Sequence, residues 1–174
     1  MIPPWNETFS NLYTCCLAEY VRGNTDFNSY YSPANLAFLT SIGCQPREFF
    51  DFIEDHGPEL PLTTALLVAA LRRSFFLTEQ ERKPSSRVLT ADQLPLREAQ
   101  LEGIAWLPRI IDKAKAKLRG ELHPDLMYGC GGDRNFISKH GLHLADFLET
   151  VRRAGDDIAP VLDYVRGKLE ASTC

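Results

Sequence analysis

The chain is poor in the signals that announce most chemistries. It has no Cys-x-x-Cys pair and no Cys/His zinc spacing. None of its four histidines, His56, His123, His140 and His143, stands in an HExxH arrangement. A glycine-rich turn occurs at Gly129-Cys-Gly-Gly, but the Gly-Lys-Ser/Thr ending of a phosphate loop is missing. No Ser/His/Asp or Cys/His triad can be read from residue order alone. No metal site and no cofactor are therefore expected. Positive charge is also scarce: 19 Lys and Arg face 23 Asp and Glu, for a net charge of -4. That balance gives no general attraction to nucleic acid or to an acidic membrane. Long apolar runs are absent; the longest, around Leu66 to Leu71, falls well short of the roughly 20 residues a bilayer requires. The opening Met1-Ile-Pro-Pro-Trp-Asn-Glu lacks the basic and apolar regions of a secretory signal. A cytoplasmic location is expected. The five cysteines, an odd number, read as free thiols of a reducing compartment, some of them in the core. Cys130, in the glycine-rich turn, stays open as a reactive one, and Cys174 is expected at the surface.

What is present is helical punctuation. With 44% hydrophobic and 24% charged residues in 174, the chain has the composition of one globular domain or two small ones. Apolar residues recur at helical spacing from Phe9 to Val21, ended by Gly23. Ser32-Pro33 offers a capping oxygen and a first-turn proline, and Gly43 stops that helix. Pro46 opens a third, through Phe49, Phe50 and Ile53 to Gly57-Pro58. A fourth, from about Thr63 to Phe76, is apolar on most sides and should be buried. Residues 78–95 lack periodicity and read as a linker or surface loop. A short helix is expected over Leu96 to Ile104, a main helix from Pro108 to Arg119 ended by Gly120, and three more near 133–140, 145–153 and 157–169. In the last of these, acidic residues lead and Arg166 and Lys168 trail, which suits the helix dipole.

The two halves then align. Gly23 matches Gly120, Tyr31 matches Tyr128, Phe38-Leu39 matches Phe136-Ile137, Gly43 matches Gly141, Phe49-Phe50 matches Phe147-Leu148, and Gly57 matches Gly155, with a one-residue gap. The expected fold is all-α: two repeated units of about four helices, residues 1–77 and 96–174, packed as a pseudo-two-fold bundle. The copies agree on packing and differ in charge. Opposite Arg109, Asp112 and Lys113 the first copy has Leu12, Cys15 and Cys16. A single chemical site therefore belongs to the second copy.

The string Gly103-Ile-Ala-Trp-Leu-Pro-Arg-Ile-Ile-Asp-Lys-Ala-Lys-Ala-Lys-Leu-Arg-Gly120, with Tyr128-Gly-Cys-Gly-Gly-Asp133 and Phe147-Leu-Glu-Thr-Val151, resembles a bacterial family known as domain of unknown function 5069. The resemblance is close over about Leu101 to Leu169 and distant before that. It implies a helical fold in bacteria and brings no activity, cofactor or catalytic residue with it.

The candidate site comes from the residues themselves. Arg109 and Lys113 can hold an anionic group, oriented by Asp112 or Asp133. The bland alternative is an exposed ion-pair face. Gly129, Cys130 and Gly131 allow close backbone approach and point N–H groups at an anion; otherwise they form a tight connection, with Asp133 as a helix cap. Tyr128 is either a proton donor or a packing residue matched by Tyr31. Trp106 is either a stacking wall or a core anchor. The leading reading is a small-anion-binding protein, with metal-independent acid–base chemistry by Asp112, Lys113 and Tyr128 if it is an enzyme. The alternative is a non-catalytic protein–protein interaction module. Nucleic-acid binding through Lys113, Lys115, Lys117 and Arg119 ranks third. A homodimer is allowed.

Overall fold

A computed structural model describes residues 4–171, the last four by backbone alone. Lys168, Leu169 and Cys174 are thus outside the described side chains. The chain is mostly helical, with eight α-helices among the described residues. It divides into two compact units, Met1–Pro84 and Ser85–Cys174. None of the described helices is long and apolar enough to cross a membrane.

The first unit holds α1 (Trp5–Val21), α2 (Pro33–Ser41), α3 (Pro46–Glu54) and α4 (Leu62–Thr78). Its starts follow from local chemistry. The Ser32 hydroxyl accepts from the Asn35 N–H at 3.2 Å, and Glu48 reaches back to the Gln45 N–H at 2.9 Å to open α3. The core is aromatic: Phe9, Tyr13, Phe49 and Phe52 meet mostly edge to face, with α1 packed on α3 and α4. The Tyr13 hydroxyl, pushed up to about 12 by burial, donates to the Phe52 carbonyl at 3.1 Å. Two expectations are corrected. Val21 is exposed at the last residue of α1, outside the stripe. Helix α4 buries one face only: Leu67 is half exposed, while Arg72 is buried, with its guanidinium over Phe76 and bonded to Gln80 at 2.7 Å.

The second unit holds a two-stranded hairpin, β1 (Gln100–Leu101) and β2 (Ile104–Ala105), then α5 (Leu107–Arg119), α6 (Gly131–Lys139), α7 (Leu144–Ala154) and α8 (Ala159–Ala171). The hairpin replaces the short helix expected there. Glu102 and Gly103 both take positive φ, 50° and 80°, as a two-residue hairpin turn requires. Helix α7 packs on both α5 and α8. Leu107, Ile110, Ala114, Phe147, Leu148 and Val165 form the centre. Of the segment 78–95, the part from Ser85 belongs to this unit. The Leu89 N–H donates to the Glu121 carbonyl at 2.6 Å, and the His123 N–H to Leu89 at 3.0 Å.

Candidate functional site

Helix α5 carries a lysine where a surface charge is expected. Ile110, Ala114 and Leu118 face the core, and Lys113 lies beside them, only 3% exposed. A buried ammonium must be paired, because unpaired burial in a low dielectric costs several kcal/mol or more. Its partner is Asp133, fully buried in the first turn of α6. Lys113 Nζ lies 2.5 Å from Asp133 Oδ2 and also donates to Cys130 Sγ at 3.1 Å. The remaining capacity of the carboxylate is filled too: Oδ2 accepts from the Gly129 N–H and Oδ1 from Trp106 Nε1, each at 2.9 Å. Asp133 does not cap α6. Cys130 occupies the N-cap position, and Asp133 ties the turn to α5 from inside the helix. Its negative charge also sits at the favourable end of the helix dipole.

Trp106 is consequently fixed at its nitrogen. Its backbone is left-handed, φ 70°, at the hinge between hairpin and α5. Arg109 sits over the ring at 5.8 Å and donates from Nη1 to the Pro95 carbonyl at 2.7 Å. Gly132 lies against the six-membered ring so closely that any Cβ there would overlap Cζ2. Trp106 and Gly132 help line a cavity of about 490 Å³ between the hairpin and α6. Its other walls include Arg97, Ile104, Phe136, Lys139 and His140. His140 is 7% exposed, its ring lies 4.5 Å from that of Phe136, and its Nδ1 is buried without a hydrogen-bond partner. Burial, with Lys139 nearby, lowers its pKa from the ordinary 6.5.

Of the residues expected at the site, Trp106, Lys113, Gly129, Cys130 and Asp133 come together. Arg109 flanks them with its guanidinium turned to a backbone carbonyl, and Gly131 is the exposed first residue of α6. Tyr128 is buried, and its hydroxyl donates to the Leu144 carbonyl at 2.8 Å. Burial holds its phenol well above the ordinary range, so it remains a protonated donor to backbone. Asp112 faces a different, smaller cavity of about 210 Å³ with Arg87, Lys115 and Arg119. Its carboxyl is raised by burial, with Lys115 acting the other way. The exposed ion-pair face is replaced by a buried one, and because Lys113 and Lys117 are both buried, no exposed stripe runs through Lys113, Lys115, Lys117 and Arg119. Among the described residues no group of three or more His, Cys, Asp or Glu is placed to hold a metal ion.

Sequence reasoning missed Arg97, Lys139 and His140 as cavity residues. The four-residue spacing of Phe136 and His140 places both on one face of α6, and that signal was available. Arg97 was hidden because its segment read as helix.

Residues 95–173 match the model of the family described as Domain of unknown function (DUF5069), and that part of the chain is a member of it. No curated protein and no solved structure matches the chain. The matched segment contains the Lys113–Asp133 pair and every wall of the larger cavity.

Proposed function

We propose that the second unit binds a small anionic molecule in the cavity beside Trp106. The observation that carries this reading is the cavity itself, walled by the Trp106 indole and His140 and lined by the cations Arg97 and Lys139. Two cations at the rim favour an anion, and a fixed indole face suits a ligand with an apolar side. Lys113 and Asp133 neutralise each other, so their part is to hold Trp106 and the Gly129–Gly132 turn. The interaction-module alternative is less favoured, since a concave site with converging polar groups suits a small molecule better than a protein surface. The four described cysteines are free thiols, which suits a reducing cytoplasm.

The test is a titration of a Trp5→Phe background with inorganic phosphate and with benzoate, followed by Trp106 fluorescence. Saturable change with either anion is expected, weakened about tenfold, near 1.4 kcal/mol, in Arg97→Ala/Lys139→Ala. No saturable response to either anion would remove the proposal.

We also infer that the two units descend from one duplicated ancestor. Support comes from paired hydrogen bonds. The Tyr31 hydroxyl donates to the carbonyl of Pro46, first residue of α3, at 2.9 Å, and Tyr128 donates to that of Leu144, first residue of α7, at 2.8 Å. Helices α2 and α6 have nine residues each.

A further inference from the structure

The contact between Lys113 Nζ and Cys130 Sγ brings two nucleophiles together in a setting where the thiol is the more reachable of the two. Lys113 is 3% exposed, whereas Cys130 is partly open to solvent at the start of α6. The thiol therefore meets a dissolved oxidant first, and the lysine nitrogen lies 3.1 Å from it. Asp133 Oδ2 lies 2.5 Å from the same nitrogen and fixes it beside the sulfur. The other three described cysteines differ in exposure: Cys15 is exposed, and Cys16 and Cys44 are buried.

We propose that Lys113 and Cys130 are an oxidative cross-linking site, in which hydroperoxide joins them through one oxygen as Sγ–O–Nζ. In the first step the Cys130 sulfur attacks the outer oxygen of a hydroperoxide. The S–O bond forms, the O–O bond breaks, and sulfenic acid and an alcohol (water, for hydrogen peroxide) result. The Lys113 ammonium releases a proton to solvent, and its nitrogen attacks a second hydroperoxide entering beside Cys130, becoming a hydroxylamine and releasing a second alcohol. The hydroxylamine oxygen then bonds to the sulfenic sulfur, and the sulfenic hydroxyl leaves with the hydroxylamine proton as water. In total one thiol, one amine and two hydroperoxides give the bridge, two alcohols and one water. Each hydroperoxide accepts two electrons. One intervening oxygen nearly spans the existing separation, whereas a direct S–N bond would draw the nitrogen off Asp133. The bridge also removes the positive charge facing Asp133, whose other contacts are the Gly129 N–H and Trp106 Nε1. Trp106 therefore reports the state of the pair.

The experiment exposes the native full-length chain to hydrogen peroxide and measures intact mass, then maps peptides before and after dithiothreitol. A gain of one oxygen with loss of two hydrogens, about 14 Da, is expected. It should lie on a peptide joining the Lys113 and Cys130 segments, disappear with dithiothreitol, be absent in Cys130→Ser, and coincide with a change in Trp106 emission in Trp5→Phe. Conversion of Cys130 only to its oxyacids, or a thiol that stays alkylatable, would overturn the proposal. So would the same mass gain persisting in Cys130→Ser. Because the wild-type chain carries the readout, poor folding of a variant leaves the result intact, and it does not depend on whether phosphate or benzoate binds.

Discussion

Cys16 of α1 and Lys113 of α5 stand opposite each other when the two halves of the sequence are aligned, as the proposed duplication would have it, and both are almost completely buried. A thiol fills its place as a small apolar group; burial pushes the Cys16 thiol up to about 12, with Cys15 and Glu19 adding to it, and it stays neutral. An ammonium in the corresponding place requires a carboxylate, and the second unit supplies Asp133 where the first has the partly exposed Asn35. The same demand for burial was met once with an apolar filling and once with an ion pair. The pair then sets the tryptophan, the turn and the cavity wall. The lesson is that one buried charge recruits its neighbours: Trp106, Gly129 and Asp133 act as a unit because Lys113 is inside.

The contrast breaks most severely at the pair itself. Lys113→Met should cost about 3–5 kcal/mol, read as a shift of the urea midpoint, because Asp133 would be left charged and buried. Lys113→Met/Asp133→Asn should recover most of that loss; equal destabilisation in the double variant would mean that the pair is not the source. Next is Gly132→Ala, which writes into α6 the residue that α2 already carries as Ala34. The added methyl must displace the Trp106 ring, so about 1–3 kcal/mol of stability and a shift in tryptophan emission should go together. Smaller still, Tyr31→Phe and Tyr128→Phe should each lose about 1 kcal/mol. Similar losses in thermal unfolding would sharpen the kinship of the units, and a large loss at one tyrosine alone would weaken it.

The smallest effect is in pH. The folded state lowers the pKa of His140 from 6.5 through burial first and Lys139 second. The unfolded chain therefore binds the proton more readily. The contribution of His140 is complete above about 6.5 and declines as pH falls from there through the lower folded value. Lys139, cationic and nearby, adds to the trend. Urea midpoints measured between pH 7.5 and pH 5.5, on the order of two units, should fall less in His140→Gln than in the parent.

Much of the helical layout was legible. Ser32-Pro33, Pro46, Pro108, Gly43 and Gly120 mark starts and stops by backbone chemistry that neighbouring residues alone decide. The hairpin was not, since Leu96 to Ile104 has no run long enough for periodicity to separate strand from helix, and Glu102 gives no warning of positive φ. The candidate site was half legible. Composition drew attention to Trp106, Lys113, Cys130 and Asp133, but the burial of Lys113 is set by a carboxylate twenty residues further along. A rule that places lysine in solvent reads such a helix as having one wet face. Asp112, one residue earlier, points into other surroundings for the same reason: adjacent helical positions lie about 100° apart.

Trp106 holds a backbone shape that glycine adopts freely and bulky residues do not. Relaxing that shape by Trp106→Gly would ease the chain path while deleting the ring that closes one side of the cavity. Evolution in the laboratory under heat alone and evolution under demand for anion retention should therefore drive this position apart, one toward the smallest residue and the other toward keeping the largest.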